Sequence, residues 1–426
     1  MNTNKTPQTL LDQLNSKKWI IWGIIILSLV FRLWFSFFTD FSRDEIKIYE
    51  KGFSFYKTGH LPITGAEIAY SSTELPGSLQ ALLTGVPLLL SKGEPWGASL
   101  FVAFLNFLAI FLIFALYMKL FPKINQTMLC LFIFWSPWSY LFTSIWNPSF
   151  LPFFSALFFW GMIMCFKNNK NFLGSMLIGF SIMTIVQLHL SFVLLVSILF
   201  CMIILKTIRM PNIAGIMLGS IVGGLTLIPY LCHYFSATTT ETASNASAFL
   251  FKNMILNSDA LFYFPKIFFR FLSFPTGETS RFIGRGSGTQ ATLIYIYANP
   301  VLWLPWLIGQ IVTLYWIVLG TKFYLQKSME VIFKILRIKK GQKNPPDRII
   351  HEKYSTPYWI LLPLAFFPVL EDLTQDKRNN RFIPLLPSRL QTIGLIVVTL
   401  CFLSYSLPGH LKEKNLKIYS AHTLAN

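Results

Sequence analysis

Apolar residues in this chain come in long, almost unbroken runs. They do not show the two-residue alternation of half-buried strands or the single apolar stripe of a soluble helix. Runs near 19–38, 98–118, 127–145, 149–166, 172–189, 191–206, 214–233, 301–320, 355–370 and 388–406 read as spans. A helix of about 20 apolar residues crosses about 30 Å of hydrocarbon. Absence of a period-2 pattern argues against a barrel. The expected fold is an all-α polytopic membrane protein of about 10 transmembrane helices (range 9–12). Segment 78–91 is apolar but has only 14 residues. That length suits an interfacial or re-entrant helix rather than a span. Polar and apolar positions mix only in the segments between. In 44–58 the apolar residues at 46, 48, 49, 53, 55 and 56 predict an amphipathic helix at the membrane surface. Gly59 is placed to end it, and Pro62 prevents its continuation.

Composition agrees with a bilayer as solvent. Of 426 residues, 54% are hydrophobic and 13% charged, Phe alone contributes 42, and mean hydropathy is +0.54. A water-soluble chain lacks the polar surface to cover that much apolar area. Lys17 and Lys18 before the run Trp19–Leu33 resemble a signal sequence. No small-residue cleavage site follows, so the run reads as a retained signal-anchor span. The five cysteines (Cys130, Cys165, Cys201, Cys232, Cys401) fall in or beside apolar runs without metal-site spacing and read as packing residues.

Charge fixes an orientation. With the N-terminus inside, the inner segments carry 21 Lys and Arg against five acids, and the remainder 15 against 13. Nearly all of the +18 net charge is then cytoplasmic, as the positive-inside rule requires. Making 78–91 a span would send Lys119, Lys167 and Lys206 to the other side. The basic balance therefore reports topology and contact with anionic membrane lipids, not nucleic-acid binding. The expected layout is a cytoplasmic N-terminus at 1–18, a transmembrane core at 19–235 and a second outer loop at 236–300. The core's first outer loop is 39–97. C-terminal spans at 301–426 follow, with a basic cytoplasmic loop at 321–354.

Chemistry is expected in the first outer loop, where Asp44 and Glu45 open the amphipathic helix a few residues beyond the first span. Acids at a helix start sit at the positive end of its dipole, so water-facing helix-start residues are one reading. A general base held at the membrane surface is the other. Arg32, inside the first span, is costly in lipid and is expected to snorkel outward or to pair with Asp40 or Asp44. His189 and the Trp146-Asn147 pair close spans on the same side as Asp44. Each also has a structural reading, as an interhelical hydrogen bond and an aromatic-belt anchor. Gly284-Arg285-Gly286-Ser287-Gly288 reads as a flexible linker or a phosphate-contacting lid. No ligand cluster demands a metal ion, and a divalent metal is left open.

A resemblance joins these features. An N-terminal span, the Asp44-Glu45 pair, and a helix ending in Thr58-Gly59-His60-Leu61-Pro62 are similar to the GT-C membrane glycosyltransferases. The group resembled is the protein mannosyltransferase and aminoarabinose transferase superfamily (glycosyltransferase family 39) and its bacterial members. Ser72-Thr73-Glu74-Leu75-Pro76-Gly77, Ser136-Pro137-Trp138, Ile145-Trp146-Asn147-Pro148 and Gln187-Leu188-His189 follow in matching order, over roughly residues 20–235. The resemblance implies a cell-membrane (inner or plasma membrane) enzyme that moves a sugar from a polyprenyl-phosphate donor to an extracytoplasmic glycan, lipid or protein. Asp44 and Glu45 would then be catalytic, with Asp44 the base and inversion at the anomeric carbon. By location, Arg43, Lys57, His60 and Arg285 are candidates for the donor phosphate, and Trp146, Asn147 and His189 for substrate. The family's lysine before the loop's proline pair is replaced here by Glu74-Leu75-Pro76-Gly77. The alternatives are a transporter or flippase of lipid-linked glycans, or a glycan polymerase or ligase using Arg270, Arg281 and Arg285. Nothing in the resemblance assigns a role to Glu371–Arg381.

Overall fold

The computed structural model describes residues 18–38, 43–67, 74–120, 126–135, 143–167, 171–204 and 210–236, together with the single residue Val318. The expected spans at 301–320, 355–370 and 388–406 lie outside the described residues (Val318 apart), as do Arg285, the glycine-rich segment around it, and Glu371–Arg381.

The described residues are mostly helical. Helix α1 (Lys18–Phe35) continues into a 3-10 turn at Ser36–Phe38. Helix α2 (Arg43–Thr58) leads to strands β1 (Thr64–Glu67) and β2 (Glu74–Pro76). The short helices α3 (Leu79–Gly85) and α4 (Leu88–Ser91) follow, then α5 (Trp96–Leu120) and α6 (Gln126–Phe134). Next come α7 (Asn147–Lys167), α8 (Phe172–Leu188) and α9 (Phe192–Ile204). Last are α10 (Ile213–Gly224), a 3-10 turn at Leu225–Leu227, and α11 (Ile228–Ser236). Among the described residues, four stretches are long and apolar enough to cross a membrane: Lys18–Phe35, Trp96–Lys119, Asn147–Cys165 and Ile213–Phe235. The chain is a helical membrane protein, as its hydrophobic runs require.

One expected run needs correction, and others gain detail. The run 127–145 is not one helix: α6 stops at Phe134, Trp135 bends away, and Thr143–Ile145 form a turn. The run 214–233 is interrupted by the 3-10 turn at Leu225–Leu227, where Pro229 follows closely and removes a backbone donor. The segment 78–91 is two short helices, because Pro87 likewise lacks an N–H for the helical ladder. An antiparallel pair, Thr64 opposite Pro76 and Glu67 opposite Glu74, adds two strands to a chain expected to be all-α.

The chain divides into two units. One contains residues 1–28, 114–139 and 264–413. Its described core joins α1 to α6: Ser28 Oγ donates to the Phe134 carbonyl at 2.9 Å, and Trp135 Nε1 donates to the Ile24 carbonyl at 3.3 Å. The other contains residues 29–113, 140–263 and 414–426 and holds α2 through α4 and α7 through α11.

In this second unit α8 and α10 meet through a glycine stripe. A Cβ on Gly219 would lie 2.0 Å from the Met176 carbonyl oxygen, and one on Gly179 would lie 2.2 Å from the Ile216 oxygen. Gly215, Gly219 and Gly223 recur every four residues, so the backbones touch along one face. In lipid, where apolar side chains gain little by leaving their solvent, such close packing is a main source of helix association. Asn171 and Asn212 cap α8 and α10 by accepting from the Gly174 and Gly215 amides at 2.7 and 3.0 Å.

Candidate active site

Helix α2 starts at the Asp-Glu pair and ends as its sequence directs. Gly59 adopts a left-handed φ of +69° and its amide donates to the Phe55 carbonyl at 2.8 Å, closing the C-terminus. The buried face carries Glu45, Ile48, Tyr49 and Gly52, the three- and four-residue spacing of one helical side. Ile48 and Tyr49 pack with Ala66, Leu88, Ala98 and Ile145. Glu45 is therefore not a water-facing helix-start residue. Its side chain is 7% exposed, on the face that enters the protein.

Two close approaches seat α2 on the loop that follows. At the α2–α3 crossing, a Cβ on Gly85 would meet the Gly52 carbonyl at 2.4 Å, so only glycine fits. Near the middle of α2, the Tyr49 hydroxyl donates to the Gly93 carbonyl at 2.5 Å. Burial, then the nearby Glu94 and Tyr56, push the Tyr49 phenol up to about 12. Tyr49 thus stays protonated and keeps donating at any working pH.

The hairpin faces the polar side of α2. Lys47 pairs with Glu67. Lys51 bonds Glu74 Oε1 at 2.8 Å and also donates to the Gly65 carbonyl, while Thr64 Oγ1 donates to Glu74. Burial raises the Glu74 carboxyl. The hydrogen bonds from Lys51 and Thr64 and the charges of Lys51 and Lys47 outweigh it, leaving Glu74 below its ordinary value. Positions 44, 47 and 51 share one helical face by spacing. Lys47 and Lys51 are thus cations on the same helical face as Asp44, and the sequence pattern does not single them out.

Of the described phosphate candidates, Lys57 and His60 lie at the far end of α2 from Asp44. Arg43 joins it in the first turn of α2, where the helix backbone alone is described. Lys57 lies 13 residues further along α2, about 20 Å at 1.5 Å per residue. Its ammonium sits over the Phe53 and Tyr56 rings at 5.4 and 5.8 Å. His60 is exposed beyond the helix end, its amide donating to Thr58 Oγ1 at 3.1 Å. Arg32 is fully buried, so its charge faces protein rather than lipid and does not snorkel.

Beyond the hairpin, the turn Pro76-Gly77-Ser78 docks on α8 and the 3-10 turn. The Ser78 amide and hydroxyl both donate to the Thr226 carbonyl, at 3.0 and 2.8 Å. Gly77 has φ +89°, and a Cβ there would lie 2.5 Å from Gln187 Oε1. Gln187 is fully buried. Its Nε2 donates to the Gly223 carbonyl at 2.8 Å, and its Oε1 accepts from Thr226 Oγ1 at 2.6 Å. This residue ties α8 to α10 and to the 3-10 turn on which Ser78 docks, a role invisible in a Gln-Leu-His motif read alone. His189, two residues on, leaves the helix in an extended conformation, and its Nδ1 accepts from the Ser191 amide at 3.1 Å. Trp146 and Asn147 sit at the start of α7. The Trp146 side chain is 39% exposed, and Asn147 Oδ1 accepts from Gln80 Nε2 on α3. Among the described residues, no group of three or more His, Cys, Asp or Glu side chains could hold a metal ion.

No family model matches this chain, and no curated protein matches it. A solved structure of ArnT from Cupriavidus metallidurans bound to undecaprenyl phosphate is similar, at 12% identity and a TM-score of 0.46. That match covers 93% of this chain and 77% of the other. A likeness of that size carries no weight for the residues of this site.

Proposed function

We propose that the chain is a membrane glycosyltransferase of the GT-C type. It moves a sugar from a polyprenyl-phosphate donor to an extracytoplasmic glycan, lipid or protein, inverting the anomeric carbon. The observation that carries this reading is the start of α2. Asp44 and Glu45 open a surface helix just after the first span, and that helix is fixed to the loop behind it by the Gly52–Gly85 approach and the Tyr49 hydroxyl. A base must be held rigidly near the acceptor hydroxyl it deprotonates, and this seat supplies rigidity.

Asp44 takes the proton of the acceptor hydroxyl, which attacks the anomeric carbon while the lipid phosphate leaves. Charge developing on that phosphate needs cations and hydrogen-bond donors. Arg43 neighbours the base in sequence, and Lys47 and Lys51 share its helical face, so they join Arg285 as candidates; Lys57 and His60 lie too far along the loop to share the task. Trp146, Asn147 and His189 are assigned to substrate, with the active site outside and the N-terminus cytoplasmic. Replacing Asp44 by Asn tests the reading: transfer from a polyprenyl-phosphate sugar should disappear while insertion and thermal stability stay unchanged. Normal transfer by that variant would overturn it.

A further inference from the structure

At the start of α7 two neutral polar pairs form: one joins Gln80 of α3 to Asn147, the other joins Asn106 of α5 to the Ser149 backbone. Gln80 on α3 is 1% exposed, and its Nε2 donates to Asn147 Oδ1. Asn106 on α5 donates to the Ser149 carbonyl at 2.9 Å and so fixes the first turn of α7. Gln80 Oε1 and the Ser149 hydroxyl are buried without hydrogen-bond partners. Buried polar atoms are rarely left so, because each orphaned group forfeits its hydrogen bonds to water with no replacement.

The Gln80 bond has a directional consequence. An amide that accepts through its oxygen turns its N–H₂ the other way. Asn147 is half-buried, beside the exposed Trp146 ring, and among the described residues its Nδ2 makes no hydrogen bond. A pair of N–H donors is therefore presented at the rim of the cluster.

We infer that Gln80 is a positioning residue that orients Asn147 as a hydrogen-bond donor in a neutral subsite for sugar hydroxyls, flanked by Trp146. The inference rests on the glycosyltransferase reading and deepens it. The Asn147 amide N–H and the Gln80 amide oxygen together both donate and accept, which matches the dual character of a sugar hydroxyl. A phosphate only accepts, and it favours Arg or Lys; Gln80 and Asn147 are neither. Trp146 supplies an apolar ring face for the sugar's C–H surface. A bound hydroxyl, or a water it holds, would also satisfy the orphaned Gln80 oxygen.

Binding decides this without chemistry. The full chain in detergent is titrated with bare polyprenyl phosphate and with a panel of polyprenyl-phosphate hexoses, read by native mass spectrometry. Wild type should bind at least one sugar-bearing lipid more tightly than the bare lipid. Asn147→Ala should erase that preference and leave bare-lipid affinity unchanged. Gln80→Met should weaken the preferred lipid about tenfold, one hydrogen bond's worth. The double variant should be no weaker than Asn147→Ala, because Gln80 acts through Asn147. Absence of any sugar preference in wild type, equal weakening toward bare lipid, or additive losses would overturn the assignment. If Gln80→Met fails to fold, Asn147→Ala decides alone, since Asn147 is partly exposed and makes one side-chain hydrogen bond among the described residues. The two readings fail separately. Normal transfer by Asp44→Asn sinks the transferase reading, whereas loss of transfer there, with sugar preference intact in Asn147→Ala, sinks only the subsite.

Discussion

Replacing Gln187 by Leu should loosen the joint between the first loop and the helix bundle. The side chain is fully buried, and its two short bonds, to the Gly223 carbonyl and from Thr226 Oγ1, both vanish. Side-chain hydrogen bonds inside membrane proteins average about 0.6 kcal/mol each. Orphaned buried partners add about 1–3 kcal/mol each; Gly223 is buried and counts fully, while Thr226 is partly exposed and can turn to water. The sum is about 3 kcal/mol. At about 2 °C per kcal/mol for a large chain, the melting temperature should fall by about 6 °C. Cys130 and Cys165 are free and buried, so a thiol-reactive dye reports the melt in detergent. The same change frees the Thr226 hydroxyl, whose backbone carbonyl holds Ser78. Protease cleavage in 74–95 should therefore become faster at temperatures well below the melt. A Gln187→Leu protein that melts with wild type and resists cleavage equally would refute the clamp.

Other outcomes follow from the same geometry. Gly219→Leu should separate α8 from α10, since even a Cβ would sit 2.0 Å from the Met176 oxygen; loss of folded protein on size-exclusion chromatography checks it. Tyr49→Phe should cost about 1–2 kcal/mol by orphaning the Gly93 carbonyl, read by the same dye melt, with no new pH dependence near neutrality because the phenol titrates only near 12. Glu74 has a folded pKa below its ordinary 4.5, so its contribution is present above pH 4.5 and is lost as pH falls through the lower folded value. Pepsin cleavage of the β1–β2 segment should accelerate below that pH in wild type, and Glu74→Gln should flatten the profile.

Much of the fold was legible because hydrophobic length carries it. The runs beginning at Trp19, Ala98, Ser149 and Phe172 became helices within a few residues of their expected bounds. Helix α2 was legible for a different reason: its apolar spacing, Gly59 and Pro62 all point the same way. The hairpin was not, because Thr64-Gly65-Ala66-Glu67 has no strand pattern and owes its pairing to Lys47 and Lys51 across the loop. The breaks in 78–91 and 214–233 follow from single prolines that an apolar count passes over. The site was half-legible. Asp44 stands out by position, whereas Gln80, Lys47, Lys51 and the clamp at Gln187 act through partners 20 to 67 residues away. No local pattern records such distances.

The central claim is that a carboxylate at the head of α2 takes the acceptor's proton. The direct measurement compares Asp44→Asn with wild type in vesicles loaded with polyprenyl-phosphate sugar, following donor binding and sugar transfer together. Binding retained within a few-fold, with transfer lost by at least about a hundredfold, is the predicted result. Transfer at the wild-type rate by Asp44→Asn would contradict it.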